Sequence, residues 1–137
     1  MTVVVSTPVS APFVAVPLSV QAHEFHSVLR DGGVAVDLRD ASSHRRFGAL
    51  LGAVAIDSAE ALDLLSPASP SALRAATAEA QWVLVSEDGY DAELLAWHLQ
   101  ARGVTGARFV VGGYRALRER RVTGSVGVDA LGLYDPR

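Results

Sequence analysis

The apolar residues of this chain come in short blocks, separated by glycine, proline and small polar residues. That layout predicts strands and helices taking turns. Residues 1–12 mix β-branched residues with Ser, Thr and prolines, which predicts a loose tail or an edge strand. Phe13 to Val16 is the expected first strand. With Ser19 as N-cap, Val20, Phe25, Val28 and Leu29 fall near helical spacing and Gly32-Gly33 supply the stop, so a helix is expected over 20–30. Val34 to Leu38 is a nearly continuous apolar run, the pattern of a strand buried on both faces.

After a polar connection, Ala41 to Arg46, and the turn at Phe47-Gly48, Ala53 to Ile56 predicts a short strand and Ser58 to Leu65 a helix closed by Ser66-Pro67. Ser69-Pro70-Ser71 then places proline in the first turn of an alanine-rich stretch, which predicts a helix to about Ala80. Trp82 to Val85 is a strand, Ala92 to Ala101 a helix ended by Arg102-Gly103, and Ala107 to Val111 the last strand. Gly112-Gly113 turns into a basic helix, Tyr114 to Arg121. Strands alternating with helices argue for an α/β fold: a mostly parallel central sheet of about five strands with helices on both faces.

The 137 residues suit one domain, expected over 13–121, between an N-terminal tail, 1–12, and a C-terminal tail, 122–137. In the latter, Leu131, Leu133 and Tyr134 are expected to dock on the body or on a partner. The net charge of −3 gives no electrostatic reason to expect nucleic acid or an anionic membrane. The apolar amino terminus lacks a basic n-region and is interrupted by Pro8, Pro12 and Pro17, so it reads as mature and cytoplasmic rather than as a signal peptide. No run reaches the roughly 18–20 apolar residues of a membrane span. There is no cysteine, which excludes disulfides, thiolate metal sites and sulfur-based covalent catalysis.

The stretch shaped most like a site is Val83 to Ala92, where a strand runs into a glycine-centred loop that opens a helix. Ligands of open α/β sheets sit at the carboxyl ends of parallel strands, where helix N-termini aim N–H groups at them. Instead of a cation or a thiol, this loop offers Ser86, Glu87, Asp88, Gly89, Tyr90, Asp91 and Ala92. A second candidate, Asp37-Leu38-Arg39-Asp40, lies where the preceding strand emerges.

In order and spacing, four places spread over about residues 18–121 resemble a rhodanese-like domain of the single-domain sulfurtransferase family. Val36-Asp37-Leu38-Arg39 resembles the family's strand-end Asp-x-Arg. Gly48-Ala49-Leu50-Leu51-Gly52-Ala53 resembles its Gly-His-Ile-Pro-Gly-Ala turn, with His and Pro replaced. Val83 to Ala92 resembles the strand and active-site loop, and Val110 to Leu117, with Gly112 and Gly113, the closing Gly-Gly element, where Leu117 stands for the usual Trp. Ser-Glu-Asp-Gly-Tyr and Val-Gly-Gly-Tyr look most like small single-domain rhodaneses of high-GC bacteria.

Aligned on Gly89, the resemblance puts the family's catalytic cysteine at Ser86, its loop arginine near Asp91 and its following serine at Ala92. In the family that thiolate takes a sulfane sulfur from a donor such as thiosulfate and passes it to a thiophilic acceptor. A serine hydroxyl cannot hold a persulfide. Glu87, Asp88 and Asp91 would each oppose an anionic donor by roughly a kcal/mol at close range. The resemblance therefore implies the fold, with no catalytic residue expected and Ser86 as a vestigial nucleophile position.

Each residue also has a plain structural reading. Ser86 as a nucleophile needs a base and an oxyanion hole, and its flanks are not a Gly-x-Ser-x-Gly elbow. Asp91 and Glu93 suit capping and dipole complementation at a helix start. Asp37 and Arg39 are expected to pair beneath the loop. His23, His26, His44 and His98 have no convincing metal spacing, so no metal and no cofactor is expected. Tyr90 packs in its loop, covers the pocket or anchors a partner. Arg115, Arg118, Arg120 and Arg121 form a solvated face or meet an acidic partner, and Trp82 and Trp97 are expected in the core.

The expected function is a catalytically inactive binding or regulatory module, engaging a protein partner or small molecule at its acidic loop. The alternatives are an enzyme using Ser86 and nearby carboxylates for non-sulfur chemistry, and a sulfurtransferase whose native cysteine Ser86 has replaced.

Overall fold

The computed structural model describes residues 18–121. The expected strand at Phe13 to Val16, the tails and the docking of Leu131, Leu133 and Tyr134 lie outside the described residues. In chain order the elements are β1 (Ser19–Val20), a 3-10 turn (Ala22–Glu24), α1 (Phe25–Arg30), β2 (Val34–Asp37), α2 (Ala41–Phe47), β3 (Ala53–Ala55), α3 (Ser58–Leu65), β4 (Trp82–Val85), α4 (Tyr90–Ala101), β5 (Arg108–Val110) and α5 (Gly113–Glu119). The strands form one sheet in the order β1-β5-β4-β2-β3, every neighbouring pair parallel.

Alternation along the strands assigns each side chain to one of two cores. Val36, Leu84 and Trp82 face one side, where Ala61 and Leu65 of α3 and Leu95, Ala96 and Leu99 of α4 cover them. Ala35, Val83, Val85 and Val110 face the other, under Phe25 of α1 and Tyr114 and Leu117 of α5, with Phe47 of α2 at its margin. Leu84, Leu65, Leu99 and Leu117 are wholly buried, each contributing about 1.5–3 kcal/mol of hydrophobic stabilisation. The result is helices on both faces of a parallel sheet.

Several expected elements shift. Ser19 is a strand residue, not an N-cap; Gln21 caps the 3-10 turn, its side chain accepting from Glu24 while Glu24 Oε1 accepts from the Gln21 N–H at 2.8 Å. The helix expected between Ser69 and Ala80 is a chain of turns closed by three-residue bonds such as Ala72 N–H to Ser69 O and Ala80 N–H to Thr77 O. High alanine propensity fails there because within 69–80 only Ala76 is buried, and a short helix without a packed apolar face is marginal in water. Conversely, the polar segment at Ala41 is a helix. Asp40 Oδ1 caps it by accepting from the Ser43 N–H at 2.9 Å, and Gly48, at φ 84°, stops it.

From β2 the chain moves outward to β3, and from β4 it moves the opposite way to β5. Helix α2 follows β2 towards the α1/α5 face, whereas α4 follows β4 onto the other. Adjacent strands whose continuations part in this way open a crevice at their carboxyl ends. Asp37, Arg39 and Ser86 all stand at that switch point.

Candidate functional site

Ser86 follows directly on β4 and is buried. Its Oγ accepts the N–H of Gly89 and that of Ala92, each at 3.1 Å. Both donors belong to the start of α4, whose first-turn N–H groups lack partners inside the helix. The hydroxyl thus occupies the spot at which the loop and the helix dipole aim positive charge. Gly89, at φ 97°, is the residue that lets the loop turn back on itself.

The Gly112-Gly113 pair fixes this loop from the other side. Tyr114 N–H donates to Ser86 O at 2.8 Å and Arg115 N–H to Glu87 O at 3.0 Å, so the first turn of α5 clamps the loop backbone. The approach is so close that a Cβ on Gly113 would collide with Ser86 O and fall 2.6 Å from Gly89 N.

The acidic residues divide into separate tasks. Glu87 Oε1 accepts from Ser43 Oγ at 3.1 Å, tying the loop to α2. Asp88 Oδ1 accepts from the Tyr90 N–H at 3.1 Å. Capping at the start of α4 therefore falls to Asp88 and Ser86, not to Asp91 or Glu93, which remain in the first turn as charges that suit the helix dipole. Asp88, Tyr90 and Asp91 are exposed and Glu87 is half-buried, so the mouth of the crevice is acidic.

Beneath the loop, Asp37 and Arg39 pair as expected. Arg39 Nε donates to Asp37 Oδ1 at 3.0 Å and Nη2 to Oδ2 at 2.8 Å, both side chains essentially free of solvent. Arg39 N–H adds a third bond to Oδ1, at 3.1 Å, and Nη2 also donates to Gly48 O at 2.9 Å. The guanidinium carbon lies 3.6 Å from the centroid of the Tyr114 ring, and Tyr114 Oη donates to Phe47 O at 3.2 Å. His44 brings Nε2 to 3.4 Å from Asp37 Oδ2. A planar, weakly hydrated cation is the one group that can fork onto a carboxylate and stack on a ring at once.

Sequence reasoning placed Asp37 and Arg39 together but missed Ser43, His44, Gly48 and Tyr114. Gly48 was legible as part of a turn motif and Tyr114 as a helix start; neither position signalled a partner for Arg39. Of the four arginines on or after α5, all exposed, Arg118 lies over the Phe47 ring at 4.0 Å, so that face is partly engaged rather than simply solvated. Trp82 is in the core, as expected, but Trp97 is exposed on α4. Tyr90 is exposed too and does not pack in its loop. Among the described residues, no three of His, Asp and Glu gather in a group able to hold a metal, and no helix is long and apolar enough to cross a membrane.

This geometry can hold a buried hydroxyl and present carboxylates. It does not show an activated nucleophile, because the two hydrogen bonds of the Ser86 side chain go to backbone N–H groups and neither goes to a histidine or a carboxylate.

The chain resembles solved structures of related architecture. A human single-domain sulfurtransferase is 25% identical, with a TM-score of 0.62, covering 76% of this chain and 97% of its own. A Rhodopseudomonas palustris protein of unknown function, described as a possible tyrosine phosphatase, is 22% identical with a TM-score of 0.67, covering 75% of this chain and 80% of that one. A rhodanese-related protein from Thermoplasma volcanium is 15% identical with a TM-score of 0.59, covering 76% and 93% respectively. No curated protein is similar enough in sequence to match. The rhodanese-like domain family itself matches over residues 21–120, every element from the 3-10 turn to α5, and with that match and the shared parallel sheet this chain belongs to the rhodanese-like domain family.

Proposed function

We propose that this is a rhodanese-like domain without sulfur-transfer activity, working as a binding or regulatory module through its former active-site loop, Ser86 to Ala92. The observation that carries this reading is the setting of Ser86. Its hydroxyl fills a cradle of N–H groups in a chain with no cysteine.

The same N–H groups that would favour a thiolate at this position are spent on a neutral oxygen that cannot carry a persulfide. Glu87, Asp88 and Asp91 replace the cationic environment that an anionic sulfur donor needs. What the loop offers instead is a mouth of carboxylates beside an exposed aromatic, Tyr90, held rigid by the α5 clamp. Such a surface suits a cationic partner, by electrostatic complementarity.

Two measurements test this. In a thiosulfate and cyanide assay the full chain gives no thiocyanate above a no-protein blank; turnover above the blank overturns the reading. In a pull-down with the full chain as bait, a basic partner is retained by the wild type and lost from the double variant Glu87→Gln, Asp88→Asn. Equal retention by both would place binding elsewhere on the molecule.

A further inference from the structure

Helix α4 is apolar on two opposite sides. Ala92, Leu95, Ala96 and Leu99 pack into the core. Tyr90, Leu94, Trp97 and Ala101 recur at i, i+4, i+7 and i+11 and face the other way, with Tyr90 75%, Leu94 59% and Trp97 58% exposed and Ala101 also exposed. A surface helix normally carries one apolar stripe, facing the core, with polar residues opposite. Here, among the described residues, nothing covers the outer stripe, and contiguous exposed aromatic and aliphatic surface marks an interaction site.

The charges beside the stripe identify what covers it. Asp91 lies exposed at the start of α4, whereas His98 and Arg102, on the same flank by helical spacing, lie exposed at its end. Such a flank is complementary to itself when reversed. We propose that the outer face of α4 is a homodimer interface, in which two copies pack their α4 helices antiparallel about a two-fold axis.

A two-fold axis perpendicular to the plane of the paired helices keeps each flank on its own side and reverses its direction. Asp91 then faces Arg102 of the second copy, Leu94 meets its Trp97, and Tyr90 meets its Ala101. These three pairs share nearly the same midpoint along the helix, so one register serves the charges, the apolar centre and the large-to-small packing together. Antiparallel alignment also opposes the two helix dipoles. Such a self-complementary patch is what an isologous interface requires.

The size of the stripe sets the strength. A large aromatic side chain buries about 150–250 Å² when fully covered, so Tyr90 and Trp97, already partly covered, contribute on the order of 300 Å² per copy. A standard interface buries about 800 Å² per partner. The dimer is accordingly weak and reversible, and dilution dissociates it.

Sedimentation equilibrium of the full chain over a concentration series reaching the millimolar range tests this. The wild type fits a monomer–dimer equilibrium, and Trp97→Lys weakens it roughly tenfold or more with an unchanged circular dichroism spectrum. Asp91→Arg and Arg102→Asp each weaken it, and combining them restores it. Because Arg102 Nη1 also donates to Ser66 Oγ at 3.1 Å, that restoration is the decisive readout, one a purely structural role for Arg102 would not produce. A wild type that stays monomeric overturns the proposal, whether iodide quenching then shows Trp97 shielded by another part of its own chain or open for a different protein. A dimer indifferent to Trp97→Lys, or a charge swap that restores nothing, overturns it equally.

Discussion

Arg39 lies with its guanidinium carbon 3.6 Å from the centroid of the Tyr114 ring, joining the end of β2 to the first turn of α5. The same guanidinium forks onto buried Asp37, so this contact supports the clamp on the Ser86 loop from below.

Arg39→Ala leaves the Asp37 carboxylate buried without its counter-charge. Breaking a buried pair from one side costs about 3–5 kcal/mol, and urea unfolding should show a loss of that order. Arg39→Lys keeps the charge but loses the fork and the stacking, and is expected to recover only part of it. Tyr114→Phe retains the ring and gives up one hydrogen bond, to Phe47 O, at about 1 kcal/mol. A lysine variant as stable as the wild type would show that the planar fork is immaterial.

Gly113 and Gly48 both have positive φ, 62° and 84°, but differ in their surroundings. An added Cβ at Gly48 meets nothing within 4 Å, so Gly48→Ala costs only the backbone conformation, which at φ 84° and ψ 173° is about 1–3 kcal/mol. At Gly113 the same atom strikes the backbone of Ser86, Asp88 and Gly89, none of which can swing aside. Gly113→Ala is expected to cost clearly more than Gly48→Ala in thermal unfolding and to free the loop amides, read as faster hydrogen exchange at Gly89 and Ala92. Equal costs would mean that the clamp on the loop yields.

Ser86→Cys places a thiol among the N–H groups of Gly89 and Ala92 and at the start of α4, which favours the thiolate. The variant is expected to react with an alkylating reagent but to accept sulfur from thiosulfate slowly, because the adjacent carboxylates repel the donor. Adding Glu87→Gln and Asp88→Asn should raise the rate of persulfide formation by roughly fivefold for each charge removed, for about 1 kcal/mol apiece. Raised salt should narrow the gap. Rates unaffected by either change would show that charge is not what keeps the donor out.

Asp40, the N-cap of α2, has its carboxyl held below the ordinary aspartate value by the Ser43 N–H and the Ser42 hydroxyl. Since the folded pKa is the lower one, the unfolded chain binds the proton more readily. The stabilisation is therefore present above the ordinary aspartate value and is lost as pH falls through the folded one. Urea midpoints of wild type and Asp40→Asn should converge in acid and separate towards neutrality. A constant gap across the acid range would remove the carboxylate's charge from the account of this cap.

The sequence by itself determined the alternation of strands and helices. The runs Trp82 to Val85, buried along its whole length, and Val34 to Asp37, buried from Ala35 onward, could be recognised because strands covered on both faces are nearly continuous in apolar residues. Ser58 to Leu65 was equally plain, closed by Ser66-Pro67, and the structure adds a cap at Asp57. The family motifs placed Asp37, Arg39, Ser86 and the glycine pair, and the lack of cysteine needs no structure at all.

Where local signals lacked a packing partner, sequence reasoning failed. The segment 69–80 has helix propensity with almost nothing to bury, whereas α2 buries no residue fully and shows no apolar period, yet forms on a cap at Asp40 and a stop at Gly48. Trp97 was expected in the core, but its position on α4, opposite Ala92 and Leu99, turns it outward. Only the tertiary structure could join Ser43 to Glu87, Tyr114 to Arg39 and Gly113 to Ser86. Each of these links residues far apart in the chain, and their meeting depends on the sheet order, which brings β2 and β4 side by side and α5 across their ends.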